Sequence, residues 1–326
     1  MKKIYLLLCF FVLIFTSCDT DFDVNANWEE VTVVYGLLDS GIGKETQQIK
    51  ISKAFLGKMD ALQMAQYADS INFDSGELAV KVIRLKNNGD SDTIILDEVP
   101  TTRSSGIFNN SIMMYTFENE DKFLSDKLST SENYEYVLLV KNNITGNEVS
   151  STTNIISGFS FDRPNYKFAF RSPNTPEFSN TSIRWGNSTD NGQQYQIDLI
   201  FNYEENNIAR SLIYTTSVLG GTSQYEFDGE QFFNFLKNEL KDTLVTRQFI
   251  DIDLVMTVGS EDLKTYRLIN EEITGIVLER PQFTNINNGI GLFSSRFTKK
   301  YIGLEFTTST IEYLISIDGL DRNFIE

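Results

Sequence analysis

Residues Ile250, Ile252, Leu254, Met256 and Val258 alternate with Asp251, Asp253 and Thr257, an order that suits no helix. Successive side chains of a strand point to opposite faces, so a period of two sends the apolar residues to one side and the polar residues to the other. Tyr195, Ile197, Leu199 and Phe201 alternate in the same way with Gln194, Gln196 and Asp198. Earlier in the chain, Val31 to Tyr35 is β-branched and ends at Gly36. Ile49 and Ile51 share a face, as do Leu78, Val80 and Val82, and Tyr134, Tyr136, Leu138 and Val140. Turns rich in Asn, Gly and Asp separate these runs, for example Lys141 to Gly146. Half-apolar strands must pair and then cover one face, so the expectation is a mainly β chain of antiparallel sandwiches.

A few helical segments interrupt the strands. Asp60 with Gln63 forms a capping-box-like start for a short helix to about Ala68. Asp228 can cap a helix over 229–241, with Phe232, Phe235, Leu236 and Leu240 on one face. Ser260 can cap another, to about Glu272, with Glu261 and Asp262 in its favourable first turn. Closing strands are expected around Tyr301–Thr307 and Ile311–Ile317. Trp185, followed ten residues later by Tyr195, resembles the core pair of a fibronectin type III-like sandwich. The expected fold is therefore two Ig/fibronectin III-like β-sandwich parts with two or three inserted helices. The break at Phe159 to Pro164 divides them into 29–157 and 158–326.

The first residues suggest an address. Lys2 and Lys3 precede an uncharged apolar run, Ile4 to Phe15, too short for the roughly 20 residues that span a bilayer. It fits the h-region of a secretory signal over residues 1–17. Phe15-Thr16-Ser17-Cys18 resembles the lipobox of bacterial lipoproteins, which implies acylation of Cys18 and an anchor through its lipid. Residues 18–28 then read as an acidic tether. Asp19, Asp21 and Asp23 resemble the surface-export signal of Bacteroidetes-type lipoproteins. Asp directly after the cysteine also resembles an inner-membrane retention signal. A calcium loop would begin with the same D-x-D-x-D but needs Gly where Val24 stands.

Composition excludes several chemistries. The chain has no histidine, which removes histidine-dependent triads and zinc sites. Cys9 lies in the signal and Cys18 would be blocked by lipid, leaving no thiol for catalysis or a disulfide. Removing residues 1–17 takes away two lysines and no acid, moving the net charge from −17 to −19. Nucleic acid needs a basic surface, so no nucleic-acid partner is expected.

Glycines Gly289 and Gly291 suggest a phosphate loop, but Ser294 stands where the fingerprint needs a third glycine. They read instead as a loop before a closing strand. Glu204-Glu205 and Glu271-Glu272 invite a carboxylate-based hydrolase, yet neighbours on a strand point apart, and two catalytic carboxyls must converge. Ser70, Thr93 and Thr243 sit in Asp-Ser/Thr-aliphatic triplets that resemble the O-glycosylation pattern of Bacteroidetes-type secreted proteins. Tyr and Phe residues serve mostly as core, with a sugar- or peptide-binding platform as the alternative.

Several strings carry a wider resemblance. Tyr35-Gly36-Leu37-Leu38, Ala54-Phe55-Leu56, the helix from Ser260, Arg280-Pro281 and Asn285 to Phe293 together resemble a large family of Bacteroidetes-type outer-membrane lipoproteins of unknown function. That resemblance implies a β-sandwich lipoprotein, often suspected beside transport systems, and brings no catalytic residue with it. The expectation is a non-catalytic binding or accessory module for nutrient capture, without cofactor or metal. Its partner would be an outer-membrane transporter or other envelope protein, its ligand a glycan or peptide. A structural or adhesive envelope component is the alternative.

Overall fold

The computed structural model describes residues 31–41, 46–54, 66–86, 89–102, 111–120, 123–124, 134–156, 158–163, 167–186, 192–219, 223–270 and 282–325. The signal, Cys18, the three export aspartates, residues 60–65 of the helix expected from Asp60 to about Ala68 and Glu271-Glu272 lie outside them; Gln66 and Tyr67 form a turn and a bend, not helix. Eight strands come from the first half: β1 (Val31–Asp39), β2 (Thr46–Ala54), β3 (Leu78–Leu85), β4 (Ser91–Ile95), β5 (Asp97–Thr102), β6 (Ser111–Glu118), β7 (Glu135–Asn142) and β8 (Glu148–Asn154). A four-residue helix α1 (Ala68–Ile71) precedes β3. The second half supplies β9 (Phe161–Arg163), β10 (Lys167–Phe168), β11 (Asn180–Trp185), β12 (Gln194–Glu205), β13 (Ile208–Leu219) and β14 (Gln224–Asp228). Helix α2 (Gly229–Glu239), β15 (Arg247–Gly259), α3 (Glu261–Asn270), β16 (Gly289–Phe306), α4 (Thr308–Ile315) and β17 (Phe324–Ile325) follow.

The fold is mainly β and, in most pairings, antiparallel. A ten-stranded sheet runs β13-β12-β15-β16-β1-β2-β6-β5, with β10 beside β16 and β17 beside β15. Two smaller sheets, β4-β3-β7-β8 and β14-β11-β9, complete the set. The four-stranded sheet brings Leu78, Val80, Val82, Tyr136, Leu138 and Val140 against Val34, Leu38, Ile49, Ile51, Tyr115 and Phe117 of the large sheet. Ile183, Trp185 and Phe227 of the three-stranded sheet share a second core with β12, β15 and the end of β16. Each half is thus a sandwich, and one large sheet serves both.

Strand β16 joins them. Gly289 to Arg296 pairs in parallel with Thr32 to Asp39, while Arg296 to Leu304 pairs antiparallel with β15. Phe293 and Phe297 are four residues apart and so share a face; the first lies in one core and the second in the other. The first sandwich thus takes Ile286 and Phe293 from beyond residue 157. Gly303 sits in a bulge at φ +70°, and its N–H donates to Asp253 Oδ1 at 2.9 Å. The extra residue shifts the alternation, so Leu304 and Phe306, not their neighbours, face the core.

The expected helix after Asp228 forms; Asp228 Oδ1 accepts the Gln231 N–H at 2.9 Å, and Phe232, Phe233 and Leu236 are buried. Trp185 and Tyr195 are both buried, with ring centroids 5.3 Å apart. Two expectations are corrected. Ile311 to Ile317 is not a strand: α4 covers 308–315, with Thr310 and Leu314 buried one turn apart. Its β-branched residues satisfy either period, and docking of one helical face decides. Ile250 does not face the core. A second bulge pairs Asn202 with Asp251 and Tyr203 with Phe249, which leaves Ile250 48% exposed.

Candidate functional site

The site forms on the outer face of the large sheet, where β1 lies against β16. The register places Tyr35 opposite Leu292, Leu37 opposite Ser294 and Asp39 opposite Arg296. Val34 and Leu38 point the other way, into the core. Strand β1 is therefore apolar on both faces, the pattern of a strand covered on both sides. Helix α3 supplies the second cover. Ser260 Oγ lies 2.5 Å from Ser294 Oγ, fixing the start of the helix over β16. Asn285 braces the same corner: its Nδ2 donates to Asp262 Oδ2 at 2.8 Å and to the Phe293 carbonyl at 2.7 Å, and its Oδ1 accepts the Phe293 N–H. Leu263, Tyr266 and Arg267, three and four residues apart, then line an open groove of about 540 Å³ with Tyr35, Leu37, Met114 and Leu292.

Two features order the polar groups. Tyr35 and Tyr266 meet edge to face, with centroids 6.0 Å apart. The hydrogen bond to Tyr266, then burial, pushes the Tyr35 hydroxyl up to about 12, so it remains a neutral donor at physiological pH. Asp39 is 1% exposed, and its carboxylate accepts from the N–H of Gly41 and Thr298, from Thr298 Oγ1 at 2.6 Å and from Arg296 Nε at 2.8 Å. Four donors saturate it. Asp39 thus orients Arg296, which lines the groove with 41% of its side chain exposed. Among the described residues Arg267 has no carboxylate within ion-pair distance.

The Asn285 to Phe293 string is structural. Asn287 bridges to Ser150, Asn288 takes φ +56°, and Gly291 takes φ +121° where a Cβ would lie 1.9 Å from the Val34 carbonyl oxygen. Only glycine allows that approach of β1 to β16. Of the paired acids, Glu205 is held by Arg247, with Nη2 at 2.8 Å, in an ion pair whose arginine is 3% exposed. Thr93 on β4 and Thr243 in a turn are exposed, and Ser70 on α1 is half-buried. Asp92, next to Thr93, is held below the usual carboxylate range by Arg84, then Lys86. No group of three or more His, Cys, Asp or Glu among the described residues could hold a metal ion. No helix among them is long and apolar enough to cross a membrane. Among the described residues are also an apolar cleft over Val80, Ile95 and Val140 and a polar one lined by Glu135, Glu261 and Asp262. Of these three clefts, the groove by α3 combines aromatic, aliphatic and guanidinium groups.

The groove was missed in the sequence because β1 is separated by more than 200 residues from α3 and β16, which complete it. The signal present was the apolar pattern on both faces of Val31 to Leu38.

No family model matches the chain, and no curated protein matches it. Among solved structures the chain is similar to a segment of two fibronectin type III domains from chicken tenascin, at 9% identity and a TM-score of 0.15. That match covers 71% of this chain and 91% of the other. The sandwich assignment stands on the sheets and cores themselves.

Proposed function

We propose that the chain is a lipid-anchored β-sandwich protein of a bacterial outer membrane, a non-catalytic binding module whose ligand occupies the groove between α3 and the β1–β16 crossing. The observation that carries this reading is the groove itself. Its volume falls in the ordinary range for ligand pockets, roughly 300–1,000 Å³, and Arg296 on its lining is held in place by the buried Asp39. The apolar run ending at Cys18 supports the anchor, and the resemblance to envelope lipoproteins supports a role beside a transporter. Fractionation of cells making the full chain tests the first part: Cys18→Ser should release the protein from the detergent phase. A screen of glycans and peptides against the intact protein tests the second. Leu37→Trp, which fills the groove, should abolish any binding found.

One feature favours the structural or adhesive alternative. Among the described residues, edge strand β13 runs for 12 residues with neither proline nor acid, whereas the opposite edge, β5, is 6 residues long and carries Asp97, Glu98 and Pro100. An unpaired edge of that length is a template for another strand. Light scattering that showed concentration-dependent assembly, with no ligand binding, would favour it.

A further inference from the structure

We infer that the groove recognises a carboxylate carried on a partly apolar body, with Arg296 and Arg267 as the receiving groups; this rests on the binding reading above. The chain carries 45 acids against 28 lysines and arginines. The groove reverses that balance. Its lining includes two arginines and one carboxylate, Asp39, which is buried and already accepts four hydrogen bonds. An acid saturated in that way holds Arg296 in place and leaves little capacity for a cationic ligand. Because Asp39 engages Nε, the amino groups of the Arg296 guanidinium remain for a ligand, and that planar group pairs with carboxylates in a fork. Arg267 lines the same groove from α3, one residue after Tyr266. In the same groove Leu37, Leu263, Leu292 and the Tyr35–Tyr266 pair supply an apolar and aromatic surface. A bare inorganic anion would leave that surface uncovered. A ring or side chain bearing one carboxylate covers it and meets both arginines. The acidic exterior would repel such a ligand at long range, and the local positive charge of the groove offsets this only at contact, so affinity should depend on salt.

Two sources share this chemistry: an acidic sugar of the uronate type and the free C-terminus of a peptide. Calorimetric titration of the intact protein separates them. The probes are a uronate disaccharide, its neutral counterpart with the acid reduced to the alcohol, a tetrapeptide with a free C-terminus, and the same peptide amidated. At least one acid should bind about tenfold or more tightly than its neutral twin, a difference of about 1.4 kcal/mol. Arg267→Gln should erase that preference without moving the melting temperature, because the side chain is exposed and makes no ion pair among the described residues. Arg296→Gln should erase it too, but also loosens Asp39, so Arg267→Gln is the decisive variant. Equal binding of acid and neutral probes, lost in Leu37→Trp, would overturn the carboxylate assignment and leave the groove as a binding site. No binding of any probe to the wild-type protein would overturn the assignment. Binding of any probe that Leu37→Trp leaves intact would overturn both.

Discussion

The two cores beside β16 are built from different side chains. Behind β12 and β15 the core is aromatic: Phe170 stacks on Phe232 at 4.8 Å, Phe249 on Phe306 at 4.7 Å, and Phe201 touches Phe232, Phe306 and Phe324. Behind β1 and β2 it is largely aliphatic, with Val34, Leu38, Ile49 and Ile51 facing Val80, Val82, Leu138 and Val140. The aromatic core takes all its members from residue 156 onward. The aliphatic one is incomplete without Ile286 and Phe293. The difference concerns independence: the second sandwich closes its core with its own chain, while the first depends on a strand arriving late in the sequence. The groove exists at that junction because β16 must leave β1 there to join β15.

The largest expected effect follows directly. A fragment ending at residue 157 lacks β16, leaves one edge of β1 unpaired and should show no cooperative melting by near-ultraviolet circular dichroism. Cooperative folding of that fragment would break the comparison. Within the intact chain, Phe232→Ala removes a fully buried ring from the centre of the aromatic cluster and should cost about 3–5 kcal/mol in chemical denaturation. A smaller effect sharpens the contrast through pH. Burial opposes the ionisation of Glu77, but the Asp74 N–H at 2.8 Å, Asn142 Nδ2 at 2.9 Å and Lys53 at 3.6 Å outweigh it and hold the carboxyl below its ordinary value of 4.5. A depressed folded-state value means stabilisation that is fully present above the unfolded-state value and lost as pH falls through the folded one. Stability should therefore drop as pH falls below about 4.5, and Glu77→Gln should flatten that part of the profile. The smallest effect belongs to Trp185, whose buried Nε1 has no hydrogen-bond partner among the described residues. Trp185→Phe removes an unsatisfied donor along with some volume, so the two effects should cancel to within about 1 kcal/mol.

The contrast also explains what the sequence could and could not reveal. Strands β12 and β15 are legible because each has one face in a core and one in solvent, which writes a clean alternation from Ile252 to Val258. The cap at Asp228 and the apolar face of α2 are legible for the same reason, since they are local. Strand β16 was visible only in part, as the closing run near Tyr301, because its two halves obey different partners and its Gly303 bulge shifts the alternation midway. Ile250 misled for the same reason, a bulge. Helix α4 was hidden by β-branched residues that a packed helical face tolerates. The groove was illegible because no local pattern links Tyr35 to Tyr266 or Asp39 to Arg296; only the parallel pairing of β1 with β16 brings them together. Conversely, the Cys18 lipobox is a sequence feature on which the described residues have no bearing.

The central claim is that β16 makes one unit of two sandwiches and creates the groove at the crossing. Scanning calorimetry of the wild-type protein beside Gly291→Ala tests it most directly, because a Cβ at that position meets the Val34 carbonyl oxygen and strains the β1–β16 pairing. The account predicts a single transition whose calorimetric and van't Hoff enthalpies agree, displaced as a whole in the variant by about 3 kcal/mol. Two resolved transitions in the wild-type protein, with Gly291→Ala lowering one and leaving the other in place, would contradict it.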